Sequence, residues 1–176
     1  MHIALSQIGI INSPFTHPDR APRQAQIEGK KGSIVLKEEY CDGLAGLQDF
    51  SHIIVIYYFH RQAEIKLRAK PCFDPLQEHG IFASRFPTRP NHIGMSVLSL
   101  TSIEKNIVYC ADVDVLDGTP LLDIKPYVKY FDQVDNPKCG WYDDIDWAKI
   151  ACEASRTCEP SHDKVLPSIT AVLSEV

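Results

Sequence analysis

Hydrophobic residues in the first 130 positions occur in short runs, without the spacing of an amphipathic helix. β-Branched and aromatic residues form segments of strand length, bounded by glycine, proline, asparagine or aspartate, at residues 6–12, 32–36, 51–60, 93–101 and 106–116. Such runs are typical of β-strands. Because no regular helices alternate with them, the pattern favours a mainly β fold, either a small barrel or a twisted antiparallel or mixed sheet, over a doubly wound fold.

Two of these segments are expected to differ in their burial. Residues 52–60 are apolar on both faces, which predicts a central strand covered on both sides. Residues 106–116 alternate in polarity, which predicts a strand with a single buried face. Within that strand Cys110 is expected to act as a core residue.

The composition changes after about residue 130. Residues 132–140 are polar and turn-forming, as in a linker, whereas residues 144–155 have helical spacing, with Ile145, Ala148 and Cys152 on one stripe. Another short helix is expected from Pro167. We therefore predict a β-barrel domain at residues 1–136 and a small, α-containing C-terminal extension at residues 137–176.

Composition places the chain among ordinary globular proteins. Of its 176 residues, 44% are hydrophobic and 23% are charged, which argues against disorder. No apolar run approaches the roughly 20 residues that span a bilayer, and the N-terminus has no signal-peptide pattern. We therefore expect a cytoplasmic protein without membrane association. The six cysteines include no CxxC pair, so we expect neither disulfides nor a bound metal.

The charge is unevenly distributed along the chain. Residues 1–100 carry 11 basic and 9 acidic side chains, whereas residues 101–176 carry 7 and 14, giving a net charge of −5. An acidic total argues against a general nucleic-acid coat protein, which needs a broad basic face. It leaves room for a local basic patch that binds one folded RNA, and the alternating Lys66, Arg68 and Lys70 are candidates for it.

Three polar loops carry candidate chemistry. In residues 80–94, Pro87 and Pro90 stiffen the segment that presents Arg85 and Arg89, and fixed guanidinium groups suit phosphate or carboxylate recognition. In residues 114–127 a turn at Asp117 separates two apolar runs. Alternation after that turn places a carboxylate, an ammonium and a phenol on one strand face, at Asp123, Lys125 and Tyr127. Residues 21–26 form a third polar loop, also stiffened by proline.

Several strings in these regions together resemble the TsaA-like family. They are PRQ at 22–24, LQDFSH at 47–52, GIFASR at 80–85, RPNHIG at 89–94 and LDGTPLLDIKPY at 116–127. The resemblance covers about residues 3–130. It departs from the family at two places. Position 92 is histidine where the family often has proline, so we expect the loop to be less rigid. Beyond Tyr130 no family motif occurs.

The resemblance implies a fold, a reaction and a partner. It implies a small β-barrel that binds S-adenosylmethionine without a Rossmann site, in agreement with the absence of a GxGxxG string. It also implies a homodimer that methylates N6 of N6-threonylcarbamoyladenosine at position 37, next to the anticodon of threonine tRNA. The motifs carry the cofactor contacts to Pro22, Arg23, Gln24, His60, Arg61, Arg85, Met95, Asp117, Gly118, Thr119 and Pro120. They place Arg89, Asn91, Asp123, Lys125 and Tyr127 near the acceptor nucleotide, as the catalytic set.

The implied reaction leaves the proton acceptor open. The methyl group of a sulfonium is already activated, so the protein mainly has to align the reacting atoms, but N6 must lose its proton. Asp117 or Asp123 can accept that proton, or Lys125 can stabilise negative charge on the carbamoyl oxygen. Two alternatives are a non-catalytic barrel that binds S-adenosylmethionine or RNA, and a methyltransferase of the same fold that acts on another nucleoside or a small molecule.

Overall fold

The computed structural model describes residues 3–18, 30–71, 74, 76–147 and 150. Its β-strands are β1 (Gly9–Asn12), β2 (Lys30–Leu36), β3 (His52–Tyr58), β4 (Arg68–Ala69), β5 (His79–Gly80), β6 (Ile93–Glu104), β7 (Ile107–Val113) and β8 (Thr119–Pro126). Six of them close into an antiparallel barrel in the order β1-β2-β7-β6-β3-β8, while β4 and β5 pair separately. The closed barrel confirms the predicted mainly β fold.

The helical elements are short. Among the described residues, 3₁₀ helices occupy Glu38–Leu44, Leu47–Asp49, Ile81–Ala83 and Gly140–Asp144, and the α-helix α1 occupies Lys129–Asp132. Within the described part of the chain, no helix has the length and apolar character needed to cross a bilayer.

The structure divides after Asp146 into two units, Met1–Asp146 and Trp147–Val176, and the elements above all belong to the first. The helix predicted from Pro167 lies outside the described residues, as do Ala148 and Cys152 of the helix predicted at 144–155. The domain boundary after residue 136 stays a prediction.

Strand β3 has one buried face rather than the two that its sequence predicts. Ile53, Val55 and Tyr57 point into the barrel and are almost fully buried, whereas Ile54 and Ile56 are half-buried. β3 is central, because it pairs with β6 and with β8. A closed barrel has a single interior, so the alternate residues of each strand form its outer wall.

Strand β7 changes its inward face partway along. Val108 and Cys110 are buried as predicted for a one-sided strand, but the next buried residue is Val113, an odd number of positions later. The break coincides with Asp112, whose φ of 62° is left-handed, and with a register irregularity against β2. A bulge of this kind shifts the alternation by one residue, which simple periodicity does not predict.

The two ends of the barrel are built differently. At the end where β3 begins, Leu44 and Leu47 of the first two 3₁₀ helices pack against the core. At the other end β1, β3 and β7 finish and β2, β6 and β8 begin, as the pairs Tyr58 with Ile93 and Lys30 with Val113 show. We call this second end the loop end, because the β1–β2, β3–β6 and β7–β8 connections all leave from it.

Candidate functional site

The connections at the loop end carry most of the residues assigned to the cofactor from sequence. His60, Arg61 and Arg85 belong to the β3–β6 connection, and the motif beginning at Asp117 lies at the β7–β8 connection. Antiparallel closure brings these segments to one end although they are far apart in sequence. Pro22, Arg23 and Gln24 belong to the β1–β2 connection and lie outside the described residues.

The β7–β8 turn is fastened to the segment after β1. One carboxylate oxygen of Asp117, Oδ1, accepts a hydrogen bond from the Ser13 amide at 3.0 Å, and the Asp117 amide donates to the Phe15 carbonyl at 2.8 Å. Gly118 follows with a φ of 73°, which favours glycine, and a Cβ built on it would meet no atom within 4 Å. The turn is therefore held firmly and leaves its backbone open to a ligand.

Arg61 ties the end of β3 to the same segment, since its Nη1 donates to the Thr16 carbonyl at 3.3 Å. Its neighbour His60 is half-buried, and burial together with the Arg61 charge lowers the pKa of His60 below 6.5. The imidazole is consequently neutral at pH 7. Arg61 and the Asp117 turn thus both bond to the segment that follows β1.

The loop before Arg85 is braced from two directions. Nη1 of the half-buried Arg89 donates to the carbonyls of Ile81 at 3.3 Å and Ser84 at 2.7 Å. Nε1 of Trp141 donates to the Ala83 carbonyl at 2.8 Å. These bonds hold the 3₁₀ turn immediately before Arg85. Arg89, assigned to the acceptor nucleotide from sequence, here contacts its own loop, and Trp141, which lies beyond the family motifs, was not identified from sequence.

His92 occupies a left-handed backbone position and bonds to both sides of the loop. Its φ of 50° is inaccessible to proline, so the residue typical of the family would not fit this backbone. The His92 carbonyl accepts a hydrogen bond from the Phe59 amide at 2.8 Å, and its Nε2 donates to the Glu64 carbonyl at 3.2 Å. These two hydrogen bonds hold the loop at His92, and its rigidity relative to a proline-containing loop stays a prediction. Asn91, the preceding residue, is exposed.

A polar group inside the barrel was also missed. The Tyr57 hydroxyl lies 3.1 Å from the Ser96 hydroxyl, which donates to Oδ1 of Asp114 at 2.7 Å. Burial, followed by the negative charge of Asp114, raises the pKa of Tyr57, while the positive charge of Arg85 acts in the opposite direction. Arg85 is thus near enough to influence the phenol. The only sequence signal was Ser96 itself, a polar residue two positions before Leu98 on the inward face of β6.

The predicted catalytic residues of β8 lie on the outer wall. Lys125 Nζ and Asp123 Oδ2 form an ion pair at 2.7 Å, beside Ile54 and Ile56 of β3. Met95, assigned to the cofactor, is 49% exposed and pairs with Ile56 from the other side. The structure thus brings Met95, Asp123 and Lys125 onto one outer face.

Tyr127 lies still farther from the loop end. Its ring makes an edge contact with His52, at the start of β3, with ring centroids 6.3 Å apart. At about 3.3 Å per residue, Lys125 is already about 20 Å along β8 from Thr119. Within this chain the five predicted catalytic residues therefore do not converge on one point.

The candidate basic patch is partly neutralised. Lys66 pairs with Glu64 at 2.9 Å and Arg68 with Glu78 at 3.4 Å, all with exposed side chains. An RNA phosphate would have to compete with these carboxylates. This weakens the assignment of the patch to RNA binding.

Comparisons with known proteins agree on one family. The family described as tRNA-methyltransferase O N-terminal domain matches residues 10–133. A probable S-adenosyl-L-methionine-binding protein of Pyrococcus abyssi is 46% identical over 140 residues, which are 79% of this chain and 76% of that protein. A mouse tRNA (adenine(37)-N6)-methyltransferase is 34% identical over 136 residues, 73% of this chain and 32% of that protein.

A solved structure has the same fold. The crystal structure of TrmO from Pseudomonas aeruginosa matches with a TM-score of 0.68 and 36% identity, over 80% of this chain and 62% of that one. The chain thus spans less than two thirds of the solved protein and about a third of the mouse protein.

Proposed function

The chain belongs to the family of tRNA-methyltransferase O N-terminal domains, and from this premise we propose that it methylates N6 of N6-threonylcarbamoyladenosine at position 37 of threonine tRNA, using S-adenosylmethionine. The observation that carries the proposal is the loop end of the barrel. There, hydrogen bonds at Ser13, Thr16 and Phe15 join the family motif around Asp117 to Arg61.

The residues at the loop end fit S-adenosylmethionine. Arg85 is exposed and makes no hydrogen bond or ion pair within the described part of the chain, so its guanidinium is available for the carboxylate of the methionine moiety. The open backbone at Gly118 allows close approach of a ligand. Neutral His60 adds no repulsion against a sulfonium. When bound, the cofactor supplies an activated methyl group.

The residues of the chain then have to bind and align the acceptor and remove one proton. Alignment of the reacting atoms accounts for much of such a rate enhancement. For the proton we favour Asp117 over Asp123. Both oxygens of Asp123 are engaged, Oδ1 with the Ile124 amide at 2.9 Å and Oδ2 with Lys125. Asp117 uses Oδ1 alone in its hydrogen bonds with the residues that the structure describes.

A matched pair of variants tests this choice. Asp117→Asn keeps an oxygen for the Ser13 amide but cannot accept the proton, and Asp123→Asn changes the outer-wall carboxylate in the same way. We expect the turnover number for tRNA to fall about 100-fold or more in Asp117→Asn, and less than about fivefold in Asp123→Asn. The reverse order would assign the proton to Asp123, and equal small effects would exclude both carboxylates.

An exposed aromatic side chain supports nucleic acid as the substrate. Phe82 is 76% exposed on the braced turn, three residues before Arg85. Unstacked bases of RNA loops are commonly bound on aromatic rings near a cation. We expect Phe82→Ala to raise the KM for tRNA and to leave the affinity for S-adenosylmethionine unchanged. Equal loss of both would contradict a role in RNA binding.

The outer wall supports assembly with a second copy of the chain. Tyr58 of β3 and Met95 of β6 are exposed on neighbouring strands of this wall, beside half-buried Ile54 and Ile56 of β3. Contiguous exposed apolar surface of this kind marks interaction sites. We expect sedimentation velocity at micromolar concentration to give a dimer and Ile54→Glu to give a monomer. A monomeric wild-type protein would contradict this assembly.

A further inference from the structure

The polar chain inside the barrel has no role in the reaction described above. Tyr57 and Ser96 are only 5% and 6% exposed, in a core that is mostly apolar. A buried hydroxyl left without a partner destabilises the fold, whereas apolar residues of similar shape would avoid that penalty. A buried network is therefore worth retaining where it fixes an orientation.

The hydrogen bonds among Tyr57, Ser96 and Asp114 all donate in one direction, towards Asp114. Ser96 donates its proton to the Asp114 carboxylate, so its oxygen is left to accept the proton of Tyr57. Burial and the charge of Asp114 raise the pKa of Tyr57, so the phenol keeps that proton at physiological pH. The order Tyr57, Ser96, Asp114 is consequently fixed.

Each residue of this hydrogen-bond network lies close in sequence to a connection at the loop end. Asp114 directly follows β7 and stands three positions before Asp117. Tyr57 is the second-last residue of β3 and stands three positions before His60. The positive charge of Arg85 acts on its hydroxyl. Ser96 lies in β6, near the end of the β3–β6 connection. The network therefore links the two connections that carry His60, Arg61, Arg85 and the Asp117 motif.

We propose that Tyr57, Ser96 and Asp114 are positioning residues, which fix the β7–β8 turn relative to the end of β3 so that the loop end is preformed for S-adenosylmethionine. This rests on the proposed function, since it concerns the same ligand. Preformed loops bind more tightly because less ordering is needed on binding. The three side chains act through the turn and through His60, without touching the ligand themselves.

The protein supplies a matched control. On the outer wall Ser99 donates to Asp112 Oδ2 at 2.6 Å, and His52 Nε2 lies 3.3 Å from the Ser99 hydroxyl. Like the bond from Ser96 to Asp114, it joins a serine of β6 to an aspartate, here within β7 rather than directly after it. It differs in being outside the barrel and farther from the loop end.

The test compares Tyr57→Phe, Ser96→Ala and Ser99→Ala. Tyr57→Phe removes one oxygen and keeps the ring, and both serine variants remove one hydroxyl. Binding of S-adenosylmethionine is measured by calorimetry, and stability by urea unfolding. We expect Tyr57→Phe and Ser96→Ala each to weaken binding about tenfold, which is about 1.4 kcal/mol. The double variant should also lose only about tenfold in affinity for S-adenosylmethionine, because both substitutions break the same hydrogen-bond network. Ser99→Ala should bind as the wild type does.

The outcomes separate this proposal from the proposed function. If wild-type protein binds S-adenosylmethionine but Tyr57→Phe and Ser96→Ala bind equally well, the positioning role is overturned alone. If the two variants lose affinity only in proportion to a lowered unfolding midpoint, or if Ser99→Ala loses as much, the effect is structural and the positioning role is likewise overturned. Wild-type protein that does not bind the cofactor overturns both proposals. Binding without methylation of tRNA overturns only the reaction.

Discussion

Gly94→Ala is expected to be among the most disruptive small substitutions in the barrel. Gly94 pairs with Tyr57 across β6 and β3, and the tyrosine ring lies over it. A Cβ at this position would stand 2.3 Å from Cε2 and 2.6 Å from Cζ of Tyr57, and 2.9 Å from Cζ of Phe59. Ordinary contact begins at 3.4 Å, so the ring must move by about 1 Å.

The expected cost follows from two contributions. Overpacking of a close-packed core costs about 1–3 kcal/mol. Displacement of the ring also breaks the hydrogen bond from Tyr57 to Ser96, which is worth about 1 kcal/mol. We therefore expect Gly94→Ala to lower the free energy of unfolding by about 2–4 kcal/mol in urea titrations, and to weaken S-adenosylmethionine binding through the same ring.

Gly43→Ala is the matched control. A Cβ on Gly43 meets no atom within 4 Å, and this glycine is not among those with positive φ. Alanine reduces the conformational entropy of the unfolded chain, so Gly43→Ala should leave the free energy of unfolding unchanged or raise it by about 0.4–1 kcal/mol. If Gly94→Ala were as stable as Gly43→Ala, the packing of Tyr57 over Gly94 would be refuted, and with it the rigidity assigned to the network.

Three further predictions concern the loop end. Arg85→Ala should weaken binding of S-adenosylmethionine strongly, whereas Arg89→Ala, which removes the hydrogen bonds that hold the turn before Arg85, should weaken it less and also lower the urea unfolding midpoint; equal losses in cofactor titrations would remove this division of roles. Trp141→Phe should cost about 1 kcal/mol in urea unfolding, because the donor to the Ala83 carbonyl is lost; an unchanged midpoint would contradict the brace. The pKa of His60 is lower in the folded chain, so the unfolded chain takes up a proton first as the pH falls through 6.5, and stability falls with it. His60→Gln should flatten this part of the stability–pH curve, and a curve unchanged by the substitution would contradict the assigned burial.

Much of the fold could be predicted because the residue pattern of a strand is contained in a short stretch of sequence. The β-branched runs located β1, β2, β3, β6 and β7, and the alternation around Cys110 identified a core residue, whereas the two-residue strands β4 and β5 were not predicted. Two features depended on tertiary context. The second face of β3 became an outer wall because the sheet closes, and Asp112 shifted the alternation of β7 through a left-handed backbone. Neither closure nor a bulge is encoded in the hydrophobic period.

The site was predictable where its residues are neighbours in the chain. The turn at Asp117 and the loop before Arg85 were both recognisable as short polar strings. The bond between Tyr57 and Ser96 joins residues that are 39 positions apart and depends on strand register. The targets of the Arg89 guanidinium are backbone carbonyls, which every sequence contains. Side-chain chemistry alone therefore could not show that Arg89 braces its own loop.

The most direct test of the central claim is methyl transfer to tRNA. Purified protein is incubated with labelled S-adenosylmethionine and with threonine tRNA that either carries or lacks the threonylcarbamoyl group at position 37, and the nucleosides are analysed by mass spectrometry. We expect a methyl group on N6 of the modified nucleoside and none on the unmodified tRNA. Equal methylation of both, or methylation of another nucleoside, would contradict the proposed substrate, and no methylation despite cofactor binding would contradict the proposed reaction.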